Sequence, residues 1–160
     1  PRLPVGTVEY RAGTLNASTD SVKLTVHGKA GHGAYPEASI DAIVCASQIV
    51  TALQTLISRN LSPLSSAVLT FGVIEGGTAQ NIICDEVTFV GTLRTANAEL
   101  RAMMKKRIGE VAQGIASAMG CTADVQVISG YAALVNDDNE AARVARIGAR
   151  LFGSENMVEN

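Results

Sequence analysis

The sequence predicts an α+β fold: a ferredoxin-like βαββαβ two-layer sandwich, a four-stranded antiparallel sheet with two helices on one face. Three observations carry this expectation. Apolar and polar residues alternate over 20–28 and again over 86–94, as in half-buried strands. Two long stretches, 39–58 and the one from Leu100 to Met119, repeat apolar residues at three- and four-residue spacing. With the apolar run at 67–74 and a last strand at 123–129 through Val125 and Val127, the order becomes strand, helix, strand, strand, helix, strand.

Within residues 1–19, Val5, Thr7, Val8 and Tyr10 alternate as one short strand followed by a loop. From Asp20, the side chains of Val22, Leu24 and Val26 share one face, and Lys23, Thr25 and His27 the other. Residues 28–36 are a loop containing Gly28, Gly31 and Gly33. In 39–58, Ile40, Ile43, Val44, Ile49, Leu53 and Leu56 spread over a face too broad for one sheet to cover, which points to a partner subunit. Residues 67–74 read as a strand apolar on both faces, with Val68, Leu69, Phe71, Val73 and Ile74. Asn97 suits the cap of the second helix, where Leu100, Met104, Ile108, Val111, Ile115 and Met119 line one side until Gly120 ends it. Beyond Val135, Val144, Ile147 and Leu151 recur at helical spacing until Gly153.

Composition excludes several classes of function. With 47% hydrophobic and 18% charged residues, the 160-residue chain is that of a folded globular protein. Thirteen basic against 15 acidic residues leave a net charge of −2, with no excess to neutralise phosphates. Aromatic residues are 4% with no Trp, so platforms for base stacking are scarce. Nucleic acid is therefore not expected as a partner, and no apolar run reaches the roughly 20 residues of a membrane span. Cys45, Cys84 and Cys121 are odd in number and form no CxxC pair, which fits buried reduced thiols in a cytoplasmic protein. The chain opens without Met and closes at Asn160 soon after a helical stretch, so it is expected to be part of something longer.

The residues alone do not make an enzyme. There is no G-x-S-x-G elbow, no Walker loop and no HExxH helix, and two histidines cannot supply a two-metal hydrolytic site. Three positions stand out nonetheless. His32 sits between glycines in Gly28-Lys-Ala-Gly-His-Gly-Ala-Tyr-Pro36, either as a plain loop residue or as a ring presented to a ligand. Arg94 closes Gly91-Thr-Leu-Arg-Thr95, as a surface cation or as a clamp for a carboxylate. Asn81 follows Glu75-Gly-Gly-Thr-Ala-Gln80, a turn by composition. Lys105-Lys106-Arg107 reads as the solvated side of the second helix.

These motifs, with Ile40-Asp41 and Leu53-Gln-Thr-Leu-Ile-Ser-Arg-Asn60, resemble the M20 metallopeptidase and amidohydrolase family. The nearest likeness is to its hippurate hydrolase and N-acyl-amino-acid amidohydrolase branch. The resemblance implies a larger catalytic domain that binds two divalent metal ions (Zn or Mn) and, inserted into it, a lid and dimerisation domain. Residues 18–131 correspond to that insert, 1–17 to the flanking strand leading in, and 132–160 to the linker and first helix returning. By the same likeness the metal ligands and the general base lie outside this sequence, so no metal residue and no cofactor is expected in this chain. The resemblance further implies that His32 crosses the dimer to stabilise the oxyanion at the scissile carbonyl, with Asn81 and Arg94 binding an N-acyl amino acid. The family's usual Pro after Asn-Ile is replaced here by Cys84, which lacks the ring that fixes φ.

An apolar edge strand is an aggregation hazard unless paired. A homodimer joined through the 67–74 strand and the 39–58 helix removes both exposed surfaces at once. The competing expectation is a stand-alone ferredoxin-like module that binds a small molecule or oligomerises, without catalysis.

Overall fold

A computed structural model describes residues 3–160, so Pro1 and Arg2 of the expected 1–17 flank lie outside it. Two short strands, β1 (Val8–Tyr10) and β2 (Gly13–Asn16), lead into β3 (Asp20–His27) and the two-residue β4 (Gly31–His32). Then follow α1 (Ala42–Asn60), β5 (Ala67–Gly76), β6 (Ile82–Ile83), β7 (Glu86–Thr95), α2 (Ala98–Ala118) and β8 (Thr122–Ser129). The chain ends with β9 (Leu134–Asn136), α3 (Asp138–Phe152) and β10 (Met157–Glu159). Four strands pair antiparallel in the order β5-β7-β3-β8, which is the expected βαββαβ arrangement with β5 at an edge.

Alternation decides which side of the sheet is buried. Val22, Leu24 and Val26 of β3 and Val87, Phe89 and Leu93 of β7 meet Ile49, Leu53 and Leu56 of α1 and Met104 and Ile108 of α2. Helix α1 begins at Ala42 rather than at residue 39. Ile40 is held by a backbone exchange with Lys29 (Lys29 N to Ile40 O, 2.8 Å; Ile40 N to Lys29 O, 3.0 Å), and the Asp41 carboxylate caps the amides of Ile43 and Val44. Asn97 caps α2 through the Leu100 amide at 2.8 Å, and Gly120 ends it with φ +74°. By length and composition α1 would pass as a membrane span, but one side of it lies in the core.

Strand β5 departs from simple alternation. Leu69 and Phe71 face the core, where the Phe71 ring meets Phe89 edge-on at 5.0 Å. A bulge at Gly72 then shifts the register, so that Ile74, not Val73, stands opposite Phe89. Ile74 is nevertheless 59% exposed, and Ile43 of α1 is 47% exposed across a groove of about 420 Å³ that Val50 and Val87 also line. The total accessible surface is 9965 Å². A compact monomer of 16.6 kDa would expose roughly 7,600 Å². The excess lies partly on this groove and partly on α3, whose Val144, Ile147, Leu151 and Phe152 are exposed.

Two short ladders carry the chain into and out of the sheet: β2 pairs antiparallel with β9, and β1 parallel with β10. At the junction Thr19 N donates to Tyr131 O at 3.0 Å, and the side chain of Asp20 is fully buried. Arg101 grips that carboxylate with Nε at 2.8 Å and Nη2 at 2.7 Å, and Lys105 Nζ stands 3.1 Å away. Lys105 is thus part of a buried cluster, not of a solvated face; Lys106 and Arg107 pair with Glu110. Burial alone would raise the Asp20 pKa, but the hydrogen bonds and charges of Arg101 and Lys105 outweigh it and hold the carboxyl below its ordinary 3.8. A carboxyl depressed in the folded state stabilises the fold above its unfolded value, and that contribution fades as pH falls through the folded value. We expect Tm to fall below pH 3.8 and the Asp20→Asn protein to show a lower Tm at neutral pH with a shallower acid slope. Equal slopes in both proteins would contradict this role.

Candidate functional site

The glycine loop is built into a small ribbon. Strand β4 pairs antiparallel with β6, His32 standing opposite Ile82 and Gly31 opposite Ile83. Gly33 N donates to Asn81 O at 2.8 Å, so the turn residue Asn81, just before β6, adjoins the His32 end of β4. The ribbon is tied to the sheet by Gly28 N to Asp85 O at 2.7 Å and to α1 by Ala42 N to Cys84 O at 3.0 Å. Close backbone approach explains two of the glycines. A Cβ on Gly28 would run into the Ile40 carbonyl, and one on Gly33 would press on Asn81 O at 3.2 Å.

His32 is exposed, and its ring is oriented by its neighbours. Ala34 N donates to Nδ1 at 3.1 Å, and the Tyr35 ring lies 5.6 Å away at 49°. Asn81 is exposed beside it. Cys84, the residue that departs from the family pattern, is buried and donates its Sγ–H to Glu86 O at 2.9 Å, which still fixes the turn into β7. The three cysteines are free and buried. Burial, then the hydrogen bond and charge of Cys121, push the Cys45 thiol up to about 12, so it is no nucleophile.

Arg94 is not brought to this ribbon. It sits on β7 opposite Val68, on the helix-free side of the sheet, and among the described residues it has no ion-pair partner. The ribbon joins the other end of β7, at Glu86, eight residues and about 27 Å of strand away. Sequence spacing gave no sign of this separation, since it depends on strand direction and register.

The described residues do not fit a two-metal centre: no three His, Cys, Asp or Glu side chains among them gather as a ligand set. His27 comes nearest. Glu86 approaches its Nδ1 at 3.2 Å and Asp124 its Nε2 at 3.0 Å, on opposite edges of the ring, so no single ion could use both carboxylates.

Comparison with known proteins agrees with the sheet and its connections. The family profile of the M20 peptidase dimerisation domain matches residues 17–119. The chain belongs to this family. The M20 dimerisation domain described here is 43% identical over 143 residues to an N-acetyldiaminopimelate deacetylase of Halalkalibacterium halodurans, covering 89% of this chain and 38% of that protein. To the N-acetyldiaminopimelate deacetylase of Bacillus subtilis it is 45% identical over 136 residues, covering 85% and 36%. Among solved structures, a putative aminohydrolase of methicillin-resistant Staphylococcus aureus superposes with a TM-score of 0.87 at 35% identity, over 99% of this chain and 41% of that one. A Bacillus subtilis dinuclear metal binding peptidase of the M20 family gives 0.75 at 29% identity, over 99% and 38%. The chain therefore spans less than two-fifths of the length of these curated relatives.

Proposed function

We propose that this dimerisation domain serves a metal-dependent amidohydrolase acting on N-acyl amino acids, and that it completes the substrate site across a two-fold axis. Residues 18–131 form the lid, and 1–17 and 132–160 are the flanks that join it to a catalytic domain. The exposed apolar face of α3 then packs on that domain. Two divalent ions, zinc or manganese, held by residues of the catalytic domain would supply the activated water. Three free buried thiols fit a cytoplasmic setting.

The observation that carries this reading is the separation of Arg94 from the His32–Asn81 ribbon. If two copies pair antiparallel along β5, with α1 beside the partner's α1, the Ala67 end of one strand adjoins the Gly76 end of the other. Arg94 of one protomer then shares an end of the joint eight-stranded sheet with the partner's His32. What one chain keeps apart, the dimer brings together. Such pairing also buries Ile43, Val44 and Ile74 and removes the open edge of β5.

In this arrangement the His32 imidazole donates a hydrogen bond to the carbonyl oxygen as it gains negative charge. Asn81, in the turn that leads into β6, orients the amide, and Arg94 donates two parallel hydrogen bonds to the free carboxylate of the amino acid. The likeness to N-acetyldiaminopimelate deacetylases favours a small acyl group such as acetyl over the benzoyl of hippurate. The test is hydrolysis by the intact protein. Arg94→Ala is expected to lower kcat/KM about 10- to 100-fold on N-acetyl amino acids, the worth of hydrogen bonds to a charged group. The loss should be far smaller on the corresponding carboxamides. Equal losses on both, or no metal-dependent hydrolysis of any N-acyl amino acid, would overturn the assignment.

A further inference from the structure

We propose that the Ala34 amide and the Tyr35 ring are positioning groups that hold His32 in one rotamer with its single ring proton on Nε2. The inference rests on the reading that His32 meets the substrate carbonyl, but its structural grounds are separate. All three amides after His32 are committed: Gly33 N to Asn81 O at 2.8 Å, Ala34 N to His32 Nδ1 at 3.1 Å, and Tyr35 N to His32 O at 2.9 Å. A ring nitrogen that accepts from a backbone N–H keeps its lone pair there. In the neutral imidazole the proton must then sit on the other nitrogen. Nε2 is without a hydrogen-bond partner among the described residues and lies on the edge of the ring turned away from Ala34.

Tyr35 supplies the second constraint. It is 61% exposed, so it contributes little to the core of this domain, yet its ring lies 5.6 Å from the imidazole at 49°. A ring flip in His32 would lose the Ala34 bond, and a change of χ1 would lose both that bond and this aromatic contact. The chemistry gives the arrangement a purpose. An Nε2–H donor attracts a developing oxyanion, whereas the opposite tautomer would aim a lone pair at it. The two histidines differ in this respect: His27 has a carboxylate against each ring nitrogen.

The test has a spectroscopic and a kinetic arm. In the uniformly ¹⁵N-labelled chain carrying His27→Gln, His32 is the one histidine left. In mildly alkaline buffer it should show a pyridine-type Nδ1, a pyrrole-type Nε2 and a scalar coupling from the Ala34 amide nitrogen to Nδ1. Tyr35→Phe should keep this pattern, and Tyr35→Leu should weaken the coupling and move both nitrogens toward tautomer averages. A pyrrole-type Nδ1, or a Tyr35→Leu spectrum identical to that of the parent, overturns the proposal. In the intact enzyme Tyr35→Leu should lower kcat roughly 10- to 100-fold, as a misplaced catalytic group does. KM should stay within about twofold, and Tyr35→Phe should retain kcat. Wild-type kcat in Tyr35→Leu, where His32→Ala is impaired, overturns the positioning role. Wild-type kcat in His32→Ala overturns the functional reading and the positioning role together, while the spectra judge the tautomer independently.

Discussion

Replacing His32 by Ala in the intact enzyme is expected to lower kcat by ~10²–10³ while KM changes little, the signature of a donor that acts on charge developing in the transition state. The fold should be indifferent to the change. His32 is exposed, and the ribbon that carries it is held by backbone bonds: the β4–β6 pairing and Gly33 N to Asn81 O at 2.8 Å. Steady-state kinetics beside a thermal melt separates the two effects. An unchanged kcat with an unchanged Tm would return His32 to the status of a loop residue.

The second large effect concerns the groove between α1 and β5. Glutamates at Ile43 and Ile74 should turn a dimer into a monomer at micromolar concentration, read by light scattering. Each places a carboxylate where an apolar side chain now awaits cover, and losing a buried anchor commonly costs 2–4 kcal/mol of association, or roughly 10²–10³ in Kd. Neither residue belongs to the buried core, so the melt of the monomer should stay close to that of the parent. Activity should vanish with the dimer, because Arg94 and the ribbon then lose each other. Leu69 and Phe71 are unsuited to this test: both face the helices, and charging them would unfold the domain. A double variant that remains dimeric would place the interface elsewhere.

Much of the sheet was legible because its signals are local. Val22, Leu24 and Val26 alternate without interruption, and Asn97 and Gly120 mark both ends of α2. The start of α1 at Ala42 is hidden in the sequence because Ile40, apolar and in phase with the helix, gives its backbone groups to Lys29, eleven residues back. That Ile74 and not Val73 follows Leu69 and Phe71 on the core side has its cause in the Gly72 bulge, which no periodicity reveals. Strands of two residues, such as β4 and β6, carry no pattern at all. Lys105 looked solvated because its partner Asp20 lies in β3, far along the chain. For the site, the glycine loop marked His32 and the family resemblance marked Asn81, and the backbone bond from Gly33 to Asn81 sets them side by side. The distance to Arg94 became apparent only from the direction of β7.

If one protomer finishes the pocket of the other, as proposed, a mixed-dimer experiment will show it. Two inactive forms of the intact enzyme are prepared, one with His32→Ala and one with its metal ligands removed, and their subunits are exchanged. If His32 works across the axis, half of the randomly mixed dimers contain one complete site, and activity returns to about a quarter of the wild-type value. If His32 serves its own chain, every site in the mixture lacks either the metals or the imidazole. Activity would then stay at the level of the separate variants, which would contradict a site shared across the axis.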